Sequence, residues 1–392
     1  MLDRLASWLR STPVQPQQGT GDCPAVVLSG GGARAAYQAG VLQYIADQFS
    51  LESVKVITGV SAGSINAAQL AGYTGSRKEA VERMVESWQH VRPEDIYEPA
   101  SSFSFALKSL KRSSYKEQEL LPRSGLVDTR PLHSYLCRVL GAPEGRLSGI
   151  GTNRDRGRLH GCALVGTEYA TGQSVTWVEG PAMPDWDRPN RIHTRTHLTV
   201  EHVMASGSLP FLFPAVELGG RWFGDGGIRQ AEPLSPAVHL GATRILAIST
   251  RYGRTSSEAA KPVSTGYPPA AQIFGVLLNS IFLDRLDQDA AGLERINELI
   301  RHVPSAHRGG LREIDMLVIR PSVDLGVMSG EYQHELGGIL KLIARGLGSS
   351  DTRSPDWLSM ILFEPAYMQR LVEVGYQDGK THHDALGRFT DA

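Results

Sequence analysis

Val54-Lys55-Val56-Ile57-Thr58-Gly59-Val60-Ser61-Ala62-Gly63-Ser64 is the stretch that decides the fold. A short apolar run that ends in Gly-x-Ser-x-Gly, followed by small residues over 64–71, reads as a strand, a sharp turn and a tightly packed helix. Projecting a serine from such a turn needs unusual backbone angles and close approach of neighbouring chain, which Gly59 and Gly63 permit. The helix behind Ser61 also points its positive end at any negative charge that develops there. Gly-x-Ser-x-Gly alone recurs by chance, so a glycine-serine turn without chemistry stands as the alternative until other residues support catalysis.

Upstream, Ala25-Val26-Val27-Leu28 is a continuous apolar run, as expected of a strand covered on both faces, and residues 33–49 read as a helix. Strand, helix, strand, helix predicts a mainly parallel sheet with both faces covered. The first strand-to-helix turn is Ser29-Gly30-Gly31-Gly32-Ala33-Arg34, where successive N–H groups can converge on an anion, as an oxyanion site requires. A nucleotide phosphate competes for such a turn, but G-x-x-x-x-G-K-[ST] is absent and Ala35 stands where the dinucleotide fingerprint has its last glycine. Downstream, residues 162–165 and 174–177 flank Ala170-Thr171-Gly172-Gln173 as a hairpin, and Arg221-Trp222-Phe223 forms a short strand ahead of Asp225-Gly226-Gly227. Asp-Gly-Gly alone is usually a hairpin turn. Later strands are expected over 244–249 and 316–319, with a long amphipathic helix over 272–303 and a helical tail over 357–375.

The 392 residues accommodate one large α/β domain or two ordinary ones, with the composition of a globular chain. Lys+Arg 40 against Asp+Glu 41 leaves no net field for nucleic acid, so any lipid contact is local. Cys23, Cys137 and Cys162 lack C-x-x-C spacing, which argues against a zinc site or a disulfide framework; no carboxylate cluster has calcium-loop spacing, and no metal or cofactor is expected. Residues 1–10 lack a signal-peptide core, so a cytoplasmic location is expected. Leu2, Leu5 and Leu9 share one helical face, which reads either as a terminal helix docked on its own domain or as a short interfacial anchor. A linker follows over 12–21. Residues 101–123 mix apolar and basic side chains and read as a solvated surface helix, with a lipid-facing flap as the alternative.

Taken together, the glycine loop, the Gly-x-Ser-x-Gly serine and the Asp-Gly-Gly aspartate, in that order, resemble the patatin-like phospholipase family. The likeness extends to Gly125-Leu126-Val127-Asp128-Thr129-Arg130-Pro131-Leu132, to Ala205-Ser206 through Phe213-Pro214, and to the tail from Leu362 to Asp378, covering residues 23–380. Two positions depart from the pattern: Ala35, where many members have glycine, and Ala231-Glu232-Pro233, where many carry asparagine before the proline. The resemblance implies a three-layer α/β/α sandwich with a mainly parallel central sheet, and divides the chain into residues 1–22, a catalytic domain over 23–320 and a helical extension over 321–392. It implies a serine acyl hydrolase in which Ser61 attacks the ester and Asp225 takes its proton. Gly30, Gly31 and Gly32 would stabilise the oxyanion, with Arg34, Gly59, Gly63, Gly226 and Gly227 in support; Arg34 would either brace the loop or meet lipid phosphate. A free carboxylate is a poor base for a hydroxyl at neutral pH, so this chemistry requires a desolvated pocket that raises its basicity. The implied partners are a phospholipid or lysophospholipid and, transiently and peripherally, a membrane surface, with a homo-oligomer left open. Two enzyme rivals remain: a Ser-His-Asp hydrolase using one of His302, His307, His334, His382 or His383, and a malonyl-transferase-like acyltransferase, although Val60 stands where that class has histidine. A membrane-docking regulatory protein is the alternative from another class.

Overall fold

The computed structural model describes residues 21–99, 125–183, 186–260, 270–332, 334 and 356–391. Among the described residues nine strands form one sheet: Pro24–Leu28 (β1), Val56–Val60 (β2), Gly161–Glu168 (β3), Ser174–Glu179 (β4), Arg191–Arg195 (β5), Val216–Leu218 (β6), Arg221–Asp225 (β7), Arg244–Ile248 (β8) and Asp315–Ile319 (β9). The order β9-β8-β1-β2-β3 is parallel throughout. β4 then adds antiparallel to β3, and β5 parallel to β4. β7 pairs antiparallel with both β3 and β6. The helices that bear on the site are Ala35–Gln48 (α1), Gly63–Gly72 (α2), Arg77–His90 (α3), Ala270–Phe282 (α4), Arg285–Arg301 (α5), Asp356–Ile361 (α6) and Pro365–Thr381 (α7).

Continuous apolar strands follow from burial on both faces, and the two faces divide the core. Val26, Leu28, Ile57, Leu164, Leu246 and Ile248 belong to one apolar cluster with α1, α2 and α7. Ala25, Val27, Val56, Ala163, Ile245 and Ala247 belong to the other, closed by Leu286 and Ala290 of α5. The result is the expected α/β/α sandwich around a mainly parallel sheet. Between the starts of α1 and α2 and the end of α3 a buried polar network is satisfied end to end. Gln38 donates to the carbonyls of Ser29 and Ile248, Asn66 donates to Gln38, and Trp88 Nε1 donates to Asn66 at 2.7 Å. Complete pairing of this kind fixes one arrangement, because any unpaired member would bear its full desolvation penalty.

α7 crosses α1 at backbone contact. A Cβ at Gly40 would strike the Val372 carbonyl, and one at Gly375 the Tyr37 carbonyl. Beside the crossing, the Tyr37 hydroxyl donates to Asp378 Oδ2 at 3.0 Å, and the Ser322 N–H donates to the same oxygen at 2.9 Å.

Three expected elements are revised. The helix expected over 272–303 is two, α4 and α5: the N–H groups of Leu283 and Asp284 both return to the Asn279 carbonyl, and Arg251 Nε holds the Asp284 carboxylate at 2.8 Å. The tail expected over 357–375 is likewise two, α6 and α7, because Pro365 has no N–H to carry a helix through and instead opens the first turn of α7. The helix expected to start at residue 33 begins as a 3-10 turn, Gly32–Arg34, that passes into α1. The N-terminal helix over 1–10 and the segment 101–123 lie outside the described residues. Gly375→Val should lower unfolding free energy by about 1–3 kcal/mol, the range for overpacking, read as a shifted urea midpoint. An unchanged midpoint would mean that the two helices do not meet at this glycine.

Candidate active site

Ser61 leaves β2 with φ 54°, a left-handed backbone that a residue with a Cβ rarely adopts and that surrounding structure must hold in place. Its N–H donates to Ser206 Oγ at 3.0 Å, and the Ser206 hydroxyl donates to the Val165 carbonyl at 2.6 Å. Its carbonyl accepts from Ser64 Oγ at 2.6 Å and Ser64 N at 2.9 Å. Only glycine fits at position 63, where a Cβ would meet the Leu28 and Ser29 carbonyls; at Gly59 it would lie 2.5 Å from the Gly63 carbonyl.

Strand register brings the second group in. The edge of β3 that pairs with β2 ends at Val165, opposite Val60, and the next residue, Gly166, lies opposite Asp225 of β7. β2 and β7 thus approach one edge of β3 from opposite ends and leave Ser61 and Asp225 side by side. Ser61 Oγ donates to Asp225 Oδ2 at 2.6 Å. Oδ1 accepts from the Gly227 N–H at 2.8 Å. The Asp225 carbonyl accepts from Thr167 Oγ1, also at 2.8 Å. Gly226 lies against the Val165 carbonyl and Gly227 against the Phe282 ring, so side chains there would push the carboxylate loop away.

Asp225 is 0% exposed. Burial raises its pKa from 3.8 to about 7, against the opposing pull of the hydrogen bonds from Ser61 and Gly227. The aspartate expected to need desolvation has it. Of the late histidines, His302, His307, His334 and His383 are exposed, His382 Nδ1 is within 2.8 Å of the Asp378 carbonyl, and His383 Nδ1 is within 2.8 Å of the Tyr44 hydroxyl.

The glycine loop faces this pair. A Cβ at Gly30 would lie 2.9 Å from Ser61 Cβ, and Gly31 and Gly32 have φ of 146° and 58°, where side chains are strained. Among the described residues, the N–H groups of Gly31 and Gly32 have no acceptor. Thr250 Oγ1, two residues past the end of β8, donates to the Gly30 carbonyl at 2.5 Å and fixes the loop. Arg34, expected either to brace this loop or to meet lipid phosphate, is buried. Its Nε donates to Ser359 Oγ at 2.6 Å and its Nη2 pairs with Asp356 Oδ1 at 2.9 Å. Of the two departures, Ala35 is buried as the first residue of α1, and Glu232 pairs with Arg191.

An apolar cleft opens from Ser61, walled by Trp88, Leu132, Leu136, Val203, Phe213 and Met360 among others. Beyond Leu132 and Phe213, each named only as part of a family block, these walls were not identified from sequence; on helices they carry the same apolar spacing as core residues. Ser206 belongs to a block quoted for its likeness, but no local signal marked it as the partner of the Ser61 N–H. Within the same block Phe211, between cleft residues Leu209 and Phe213, has φ 67° and is 86% exposed. Among the described residues no three His, Cys, Asp or Glu side chains cluster as a metal ion would need.

The family model described as patatin-like phospholipase matches residues 26–238, more than half of the chain. Among curated protein sequences there is no match. Solved structures similar to this chain include VipD from Legionella pneumophila, at 12% identity and TM-score 0.38 over 93% of this chain and 67% of that one. Human GIVD cytosolic phospholipase A2 is similar at 12% identity and TM-score 0.45, over 94% and 60% of the two chains. The type III effector protein ExoU of Pseudomonas aeruginosa is similar at 15% identity and TM-score 0.34, over 93% and 53%. This chain therefore spans about 60% of the human phospholipase and about half of ExoU.

The raised pKa of Asp225 has a consequence for stability. Between pH 4 and 7 the folded chain holds a proton on this carboxyl that the unfolded chain has released, so this group's contribution to stability falls as pH rises through that window. Carrying 3.8 up to about 7 corresponds to roughly 4 kcal/mol once pH exceeds 7. Asp225→Asn should therefore stabilise the fold by an amount that is largest at pH 8 and smaller at pH 5, measured by urea unfolding at both values. A variant less stable than the parent at pH 8, or equally shifted at both, would contradict a desolvated carboxylate.

Proposed function

The chain belongs to the patatin-like phospholipase family, and from that membership we propose that it is a serine lipid acyl hydrolase cleaving carboxylic esters of phospholipids or lysophospholipids through a Ser61/Asp225 dyad. The observation that carries the reading is the 2.6 Å hydrogen bond from Ser61 Oγ to a fully buried carboxylate. A general base works best with a pKa near the operating pH, and burial lifts Asp225 to about 7.

In this mechanism the acyl chain lies along the apolar cleft and the ester carbonyl rests over Ser61. Asp225 Oδ2 takes the hydroxyl proton as Oγ attacks the carbonyl carbon. The oxyanion is met by the unoccupied N–H groups of Gly31 and Gly32, while Gly30 lets the loop come within contact of the serine. Collapse of the tetrahedral intermediate breaks the ester bond, and the proton held by Asp225 passes to the departing alcohol. Water then enters, Asp225 takes its proton, and hydroxide addition to the acyl carbon followed by expulsion of Ser61 Oγ releases the fatty acid. The proton returns to the serine. The Gly227 N–H on Oδ1 keeps the carboxylate turned toward Ser61 in both halves of the cycle. We take the membrane contact to be peripheral and transient; among the described residues no helix is long and apolar enough to cross a bilayer.

Ser61→Ala should abolish both fluorophosphonate labelling and hydrolysis of a medium-chain p-nitrophenyl ester. Asp225→Asn should lower kcat on the same ester by ~10²–10⁴-fold, while alanine at each of His302, His307, His334, His382 and His383 leaves it within a few-fold. A folded histidine variant as inactive as Ser61→Ala would replace the dyad with a triad.

A further inference from the structure

Helix α4 has the wrong outside for a surface helix. Its thirteen residues, Ala270–Phe282, include no charged side chain. Its inner side is accounted for: Leu278 and Ile281 pack on the core, Asn279 Nδ2 donates to Asp356 Oδ2 at 2.6 Å, and Phe282 is buried against Gly227, two residues from Asp225. Yet Ile273, Val276 and Leu277 are 46%, 63% and 54% exposed, and Ser280 is exposed beyond them. The spacing i, i+3, i+4, i+7 makes one outward stripe where a soluble surface helix normally carries charge.

We propose that this outer stripe of α4 is the surface through which the chain docks on an electrically neutral lipid surface, next to the Ser61/Asp225 site. The inference rests on the hydrolase reading, since an acyl ester held in an aggregate must be brought to the cleft. Three features favour lipid as the occupant. The stripe exposes a few hundred Å² at most, well short of the ~800 Å² per partner that a stable dimer buries. With no charge on the helix, there is nothing to pair with a charged peptide and nothing to oppose entry into the acyl boundary of a bilayer. The opposite face of the same helix touches the loop of the candidate base and, through Asn279 and Asp356, reaches Arg34 beside the glycine loop. Docking there sets the lipid on the helix whose inner face supports the loop of the candidate base.

The test compares the parent chain with Val276→Asp/Leu277→Asp in sedimentation with phosphatidylcholine vesicles, with p-nitrophenyl ester turnover and gel filtration alongside. The double variant should bind vesicles at least tenfold more weakly. It should hydrolyse vesicle lipid correspondingly more slowly, and keep the parent's soluble-ester kcat and elution volume. Leu277→Gln, which adds no charge, should lower binding by a smaller factor with an unchanged circular dichroism spectrum. The parent's binding should not fall with added salt. Equal vesicle binding by parent and variants, a parent that does not bind neutral vesicles, or a dimeric parent that the variants render monomeric would each overturn the proposal. A parent that binds vesicles through this stripe but turns over no soluble ester would overturn the hydrolase reading and leave the docking surface standing.

Discussion

A carboxylate kept from water 2.6 Å from a serine hydroxyl is the contact on which the rest of this structure depends. Neither group would choose that arrangement alone. The aspartate would be better solvated outside, and the serine would relax from φ 54° to an ordinary backbone. What holds them is the register of β3, whose one edge serves β2 up to Val165 and β7 from Gly166 onward. A shift of either strand by one residue would turn every side chain to the other face and separate the pair. The Ser206 hydroxyl, bonded to both the Ser61 N–H and the Val165 carbonyl, locks the junction from the side.

The glycine loop reaches the same point by a longer route. Gly32 is held against α6, abutting the Met360 backbone, Gly31 lies against Thr250, and Arg34 is tied to Asp356 and Ser359, more than three hundred residues later in the chain. Asp356 also receives Asn279 of α4, whose own Phe282 supports Gly227. A guanidinium buried with its carboxylate is worth little as a source of net stability, but removing either partner would strand a charge, so the pair specifies one loop position strongly. The site is therefore closed by helices outside residues 26–238, the region that the family model matches.

Much of this was legible in the sequence, for definite physical reasons. The apolar runs at Val26 and Ile57 and the glycines around Ser61 read as parallel strand and elbow because double-sided burial and a left-handed serine both demand those residue types. Asp225 was identifiable only through its likeness to a family, since Asp-Gly-Gly by itself describes a hairpin. Its pairing with Gly166 is a register, and register depends on three strands distant in sequence. The break between α4 and α5 escaped detection because Phe282, Leu283 and Leu286 continue the helical apolar spacing across it, and the helix ends through hydrogen bonds to Asn279 and an ion pair with Arg251. Periodicity likewise suggested an amphipathic helix over 272–303. Its first half is apolar on both sides, because the inner face packs on α6 and the carboxylate loop while Val276 and Leu277 face outward. The Arg34 alternatives could not be separated without knowing where Asp356 returns to the site.

The central claim is that burial makes Asp225 basic enough to serve Ser61, and its most direct test is the ionisation of that one carboxyl. In protein carrying 13C at the aspartate side-chain carboxyl, the resonance that disappears in Asp225→Asn should titrate with a midpoint near 7, as burial dictates. A midpoint near the ordinary 3.8 would contradict the account, because a carboxylate that ionises as it does in water has no more claim on the Ser61 proton than any surface aspartate.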